Sequence, residues 1–195
     1  MVSQYPAAAF PRRVVLFSGH MIDAPARPKP RFPADKESIA AVEIARTLAQ
    51  INVGSNDLAV CGGACGGDLL FAEASLARQL TLELYIPFRE DEFLAKSVDF
   101  ADAHWRARFF AAKSHALLHI TPDEVGPLAM DEDPYERNNL HMLDAAMRFG
   151  SDKLDFICLW NGQGGDGPGG TQHLMREVQS KGGRTRWIDT RKLWN

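Results

Sequence analysis

No stretch of this chain approaches the roughly 18 consecutive apolar residues that a membrane-spanning helix needs. The opening residues MVSQYPAAAF have neither the basic start nor the apolar middle of a secretory signal. Membrane partners are thereby argued against, and a cytoplasmic location is expected. Cysteine is scarce. Cys61, Cys65 and Cys158 are too few for a disulfide framework, and the Cys61 and Cys65 spacing has no second cysteine or histidine pair with which to hold zinc. They are expected to be reduced, buried thiols, with no metal site. Positive charge is in short supply as well: 22 Lys and Arg against 25 Asp and Glu leave a net charge of −3. That balance withholds the broad attraction to phosphates on which nucleic-acid binding rests.

Glycine and proline are plentiful, at 16 and 11 residues, in a chain of 195. They gather between apolar runs, which marks tightly turned or functional loops. That length can bury one core without staples. With no internal repeat and no boundary in composition, residues 1–195 are expected to form a single domain.

The apolar runs alternate with helical periodicity. RVVLFSG at residues 13–19 reads as a strand buried on both faces. A proline-rich loop follows, and then a helix beginning near Asp35 with Ile39, Val42, Ile44, Ala45 and Leu48 at helical intervals. LAVCGG (58–63), LELYIPF (82–88), ALLHI (116–120), LDFICLW (154–160) and RTRWID (184–189) read as five more strands. Between them lie helical stretches at 68–80, 91–113, 134–149 and 171–181, the last capped by Thr171. Strand and helix in alternation predict an α/β, Rossmann-like three-layer fold with a mostly parallel sheet of about six strands flanked by helices. The long 91–113 helix carries more bulky residues than one sheet face readily covers, which predicts a homodimer.

Two loops carry the chemistry. CGGACGGDLLFAEA places Gly62, Gly63, Gly66 and Gly67 between a strand and a helix, where open backbone N–H groups and the helix dipole favour an anion, above all phosphate. A side chain at Gly66 is expected to fill the space that phosphate needs and to harm binding more than folding. The second loop, NGQGGDGPGGT, opens another helix with Gly169, Gly170 and Thr171. Both loops would project from the carboxyl edge of the sheet, where open parallel sheets bind ligands. The competing reading of each is tight turning and close packing.

His20, after the first strand, either touches a phosphate or base or serves as a loop cap. Asp68 opens a helix and most simply stabilises its N-terminus. Arg137 offers a planar fork to a phosphate or carboxylate, or else pairs with Glu136 on the surface. Trp160 either fills the core end of its strand or stacks on a base.

FSGH after the first strand, GGACGGDLLFAEA after the second, IPF after the third and DGPGGT near the end together resemble the SLOG superfamily. That group joins the SMF/DprA proteins to the Lonely Guy phosphoribohydrolases, and the resemblance spans about residues 13–189. It implies a Rossmann-like domain that binds nucleotides or nucleotide-derived ligands, acting in some branches as an enzyme and in others as a sensor. It also favours pairing into dimers. By this resemblance Ser18 and Gly19 belong to the first ligand loop, and Gly62, Gly63, Gly66 and Gly67 to the second. Gly170 and Thr171 match the Gly-Thr of the hydrolase motif PGGxGTxxE, and Arg137 is the nearest match to the arginine of a comparable helix. Leu174 stands where that motif has its catalytic glutamate.

The expectation is therefore a nucleotide-binding sensor or signalling domain with no cofactor. The alternative is an N-glycosidic hydrolase acting on a nucleoside 5'-monophosphate, with Glu73 or Glu177 as the acting carboxylate.

Overall fold

The computed structural model describes residues 10–25, 27–163 and 170–194. Its strands are β1 (Val14–Gly19), β2 (Leu58–Cys61), β3 (Thr81–Ile86), β4 (Ala116–Ile120), β5 (Leu154–Trp160) and β6 (Arg184–Asp189). They form one sheet in the order β4-β3-β2-β1-β5-β6, with every neighbouring pair parallel. The predicted six-stranded Rossmann-like sheet is thus present and entirely parallel among the described residues.

Parallel strands covered on both faces need apolar residues at every position, and β1 supplies them: Val14, Val15, Leu16 and Phe17 are fully buried. Successive side chains point to opposite faces. Val14 and Leu16 join Leu58, Val60, Phe156 and Cys158 in the core beneath α6 (Pro134–Met147) and α7 (Thr171–Ser180). Val15 and Phe17 join Ala59, Cys61, Ile157 and Leu159 in the core beneath α1 (Glu37–Gln50), α2 (Gly67–Ala77), α3 (Glu90–Ser97) and α4 (Ala103–Lys113). The register pairs Val14 with both Leu58 and Leu154, which keeps each face continuous across the sheet centre. Phe17 stacks on Phe71 of α2 at 4.8 Å, fixing that helix over the exit of β1. The three cysteines are free and buried.

Some expectations change. α1 buries Ala40, Ile44, Thr47 and Leu48, while Ile39 and Val42 face outward. A 3-10 turn over Ala34–Lys36 precedes it, and Asp35 lies inside that turn. The single helix expected over 91–113 is two helices. Asp102 interrupts it by accepting the His104 amide at 3.0 Å, starting α4 afresh. The break lets Phe93, Leu94, Trp105 and Phe109 all turn inward; only Phe110 of the bulky set stays largely exposed. The break thus lets a single chain bury most of these bulky side chains. The polar loop after β4 contains a further short helix, α5 (Thr121–Val125), and α8 (Thr190–Leu193) follows β6.

Opposite the ligand edge, Asp155 is fully buried at the start of β5. It accepts from Arg13 at 2.9 Å and from Arg184 at 2.8 and 3.1 Å. Burial alone would raise its pKa, but the Arg184 and Arg13 hydrogen bonds and charges outweigh that and hold it below the ordinary carboxyl range. Its contribution to stability is therefore present above the unfolded carboxyl pKa and lost as pH falls through the lowered folded value. Asp155→Asn is expected to cost about 2 kcal/mol at neutral pH, the arginines being partly solvated, and to flatten stability between about pH 5 and pH 2. Urea unfolding across that range checks this, and an unchanged midpoint would refute it.

Candidate ligand-binding cleft

The helix after β1 lies on one face of the sheet and the helix after β5 on the other, so the loops leaving these neighbouring strands diverge. A cleft of about 380 Å³ opens at that point, where doubly wound sheets place their ligands. The end of β1 contributes Ser18 and Gly19 to its wall, and His20 follows directly after the strand. The turn after β2 contributes Gly62 and Ala64, α2 contributes Asp68, and Gly170 and Thr171 enter at the head of α7. α6 supplies Tyr135, Asn138 and Asn139, and Arg31 comes from the loop before α1.

The two glycine pairs divide their labour. Gly62 lines the cleft, and a Cβ on it would lie 2.8 Å from Asp68 Oδ2. Gly19 also lines it, although its own Cβ would strike the Phe17 ring. Gly63 looks toward Phe109 and Leu84 in the core. Gly66 corrects the expectation placed on it. At φ +97° its Cβ would come within 2.5 Å of the Ile22 amide nitrogen and 3.0 Å of the His20 carbonyl, because Gly66 bridges to Met21 as an isolated antiparallel pair. Gly67 likewise packs against His20 O and Phe17. The second pair thus serves backbone meeting backbone.

The amino end of α2 is also closed from within. The Gly67 amide donates to His20 O at 3.0 Å and Leu69 to Ala64 O at 3.3 Å. Ala64 donates to Asp68 Oδ2 at 3.3 Å. The protein's own carboxyl sits where an external anion was expected. Asp68 Oδ1 is buried and unpartnered, and burial pushes this carboxyl up to about 7 against the lowering effect of the Ala64, Gly19 and Gly62 backbone.

α7 is different. Its N-cap is Gly170, which offers no side-chain cap, and Thr171 is the first helical residue instead of the cap. Its Oγ1 lies 3.0 Å from Ser18 Oγ. The Thr171 and Gln172 amides have no acceptor inside their own helix. Gly169 lies outside the described residues.

His20 is buried. Its Nε2 accepts the Asn161 amide at 3.1 Å, while its own amide donates to Leu159 O at 2.9 Å. Burial first, and then the charge of Arg31, lowers its pKa to about 4. At neutral pH it is an uncharged acceptor that joins β1 to the end of β5, not a cation for phosphate.

Arg137 does not line the cleft. Its Nη2 donates to the Val125 and Gly126 carbonyls at 2.8 and 2.7 Å, closing the end of α5, and its Nη1 lies 3.6 Å from Glu132. Glu73 is bound in bidentate fashion by Arg108 at 2.6 and 2.7 Å and, like Glu177, is not among the lining residues. Leu174 packs into the core beneath α7. Trp160 is buried, its Nε1 donating to Gln163 O at 2.6 Å, which is the core-end role.

Sequence reading passed over Asn138. Buried within α6, it donates to Tyr85 O at 3.1 Å and accepts from Thr121 Oγ1 at 2.6 Å, so its amide is locked at the cleft wall. Asp133, which also lines the cleft, is engaged as the α6 cap by the Glu136 amide at 2.8 Å. A buried asparagine on a helix otherwise patterned for packing was the available signal.

The sheet order and the cleft at its switch point define a doubly wound, Rossmann-like α/β protein. No family model and no curated protein sequence matches the chain. Among solved structures it is similar to the structural-genomics target TM1055, at 14% identity and TM-score 0.37 over 93% of this chain and 88% of that one. It is also similar to DNA processing protein A (DprA) from Streptococcus pneumoniae, at 14% identity and TM-score 0.38 over 95% of this chain and 62% of that one. Both likenesses are distant, and the fold assignment rests on the sheet itself.

Gly66→Ala is expected to lower stability by about 2–4 kcal/mol through overpacking and a strained φ, read as a shifted urea midpoint. Wild-type stability in this variant would return Gly66 to the ligand side.

Proposed function

We propose that this chain binds a nucleotide or nucleotide-derived small molecule in the switch-point cleft and works as a sensor or signalling domain. The observation that carries this reading is the α7 head: a helix N-terminus without a side-chain cap, facing the cleft beside the paired Ser18 and Thr171 hydroxyls. A phosphoryl oxygen there would accept from the first-turn amides and from the hydroxyl of the Ser18–Thr171 pair whose proton is free. The rest of the cleft suits the remainder of such a ligand. Tyr135 offers a partly exposed ring, and the volume matches small-molecule sites. The resemblance of the loop motifs to the SLOG superfamily supports the same ligand class.

Binding without turnover is the favoured form. Departure of a base needs a carboxylate to stabilise charge on the ribose and to activate water. Glu73 is engaged by Arg108, Glu177 is not at the cleft, and Leu174 faces the core.

Thermal unfolding with adenosine and guanosine mono-, di- and cyclic phosphates tests the reading, since a ligand in excess over its Kd raises the midpoint. At least one nucleotide is expected to stabilise the chain, and a flat response to all would overturn the proposal. Thr171→Val is expected to weaken that binding about fivefold, the value of one neutral hydrogen bond, and to cost about 1 kcal/mol of stability through the lost Ser18 contact. Free adenine is not expected from adenosine monophosphate over hours of incubation; robust release abolished by Glu177→Gln or Glu73→Gln would favour the hydrolase.

A further inference from the structure

The cleft proposed to take a phosphorylated ligand has a carboxyl of its own beneath it. Asp68 Oδ2 occupies the turn after β2, accepting from Ala64 and lying against Gly62. Oδ1 is shut off from solvent and makes no hydrogen bond of its own, although the Gly19 and Gly62 backbone lies close to the carboxyl. A carboxylate so placed is poorly hydrated and has no cation in contact with it, and its negative field would fall on whatever anion enters the cleft.

The groups that face it do not cancel that field. From β1 comes His20, neutral for the reasons given above. Cys61 and Cys65, on the strand and turn beside it, are thiols whose pKa burial raises, the latter to about 12. α3 presents the uncharged Phe93 and Ser97, α7 the uncharged Thr171, and α6 the capping carboxylate Asp133 with Tyr135. Arg31, the one cation among the described lining residues, acts on His20 and is not among the groups that shift Asp68.

We propose that anion binding in this cleft is coupled to protonation of Asp68, so that this carboxyl decides how much negative charge the site accepts. The inference rests on the ligand reading above and names a residue that reading did not use. With Asp68 protonated, the α7 amides and the free hydroxyl proton meet the anion without opposition. With Asp68 ionised, two negative charges share a poorly hydrated pocket. The bound anion must therefore raise the affinity of Asp68 for its proton by the same factor as the proton raises affinity for the anion. Because Asp68 titrates at about 7 in the free protein, binding is at its acid plateau below that pH and weakens as pH rises through it.

The test uses sulfate on the full chain, an anion whose charge does not change across the range, with ionic strength held constant. The shifts of the Thr171 and Gln172 amides report binding. In the wild type the Kd for sulfate is expected to rise about tenfold from about pH 6 to about pH 8. In Asp68→Asn it is expected to stay at the acid value throughout.

A second measurement needs no variant: the titration midpoint of the Asp68 carboxyl carbon is expected to move upward when sulfate is added. A pH-independent Kd in the wild type, a pH dependence that survives in Asp68→Asn, an unmoved carboxyl midpoint, or no sulfate response at those amides at any pH would each overturn the inference. Failure of the nucleotide reading is distinguishable. Proton-linked sulfate binding with no nucleotide response would leave an anion site without that ligand, whereas nucleotide binding with pH-flat sulfate affinity would remove only the role of Asp68.

Discussion

The pairing of β1 between β2 and β5 is the constraint from which the other features follow. A strand with parallel neighbours on both sides and helices on both faces has no solvated surface, so every residue from Val14 to Phe17 must be apolar and in register. It also forces the chain to leave β1 toward one layer while the chain leaving β5 turns to the other. The cleft is the gap left by that divergence. Its walls are held by short links at the exit of β1: His20 reaches Leu159 and Asn161 on one side, and its carbonyl receives Gly67 on the other.

The strands were legible because burial on both faces leaves an unbroken apolar run, a signal that survives without knowledge of neighbours. The helix over 91–113 was misread because its two halves share one hydrophobic stripe. What divides them is a single capping aspartate, Asp102, whose side chain turns back onto the chain. Periodicity reports which face is apolar and says little about where the axis changes direction.

The cleft was legible in position and less so in detail. Glycine after a strand signals close approach, but the same residue type serves phosphate meeting backbone and backbone meeting backbone, and Gly66 is of the second kind. Arg137 shows a related ambiguity. A guanidinium fork that suits phosphate also suits two carbonyls at the end of a short helix, and only the fold brings Val125 and Gly126 within its reach. Asn138 acquires its partners Tyr85 and Thr121 from elements far apart in sequence, and Asp68, read only as a helix-end charge, turns out to be a buried acceptor in the cleft wall.

The neutral imidazole of His20 carries a consequence for acid tolerance. An unfolded chain takes up a proton at this histidine near pH 6.5, whereas the folded protein resists until about pH 4. Across that interval acidification feeds the unfolded ensemble alone, so the native state loses free energy steadily before most carboxylates have begun to titrate. Once protonated, Nε2 becomes a donor facing the Asn161 amide, another donor. Near pH 4, where the folded imidazole itself takes up a proton, the strain falls on this seam between the loops that leave β1 and β5.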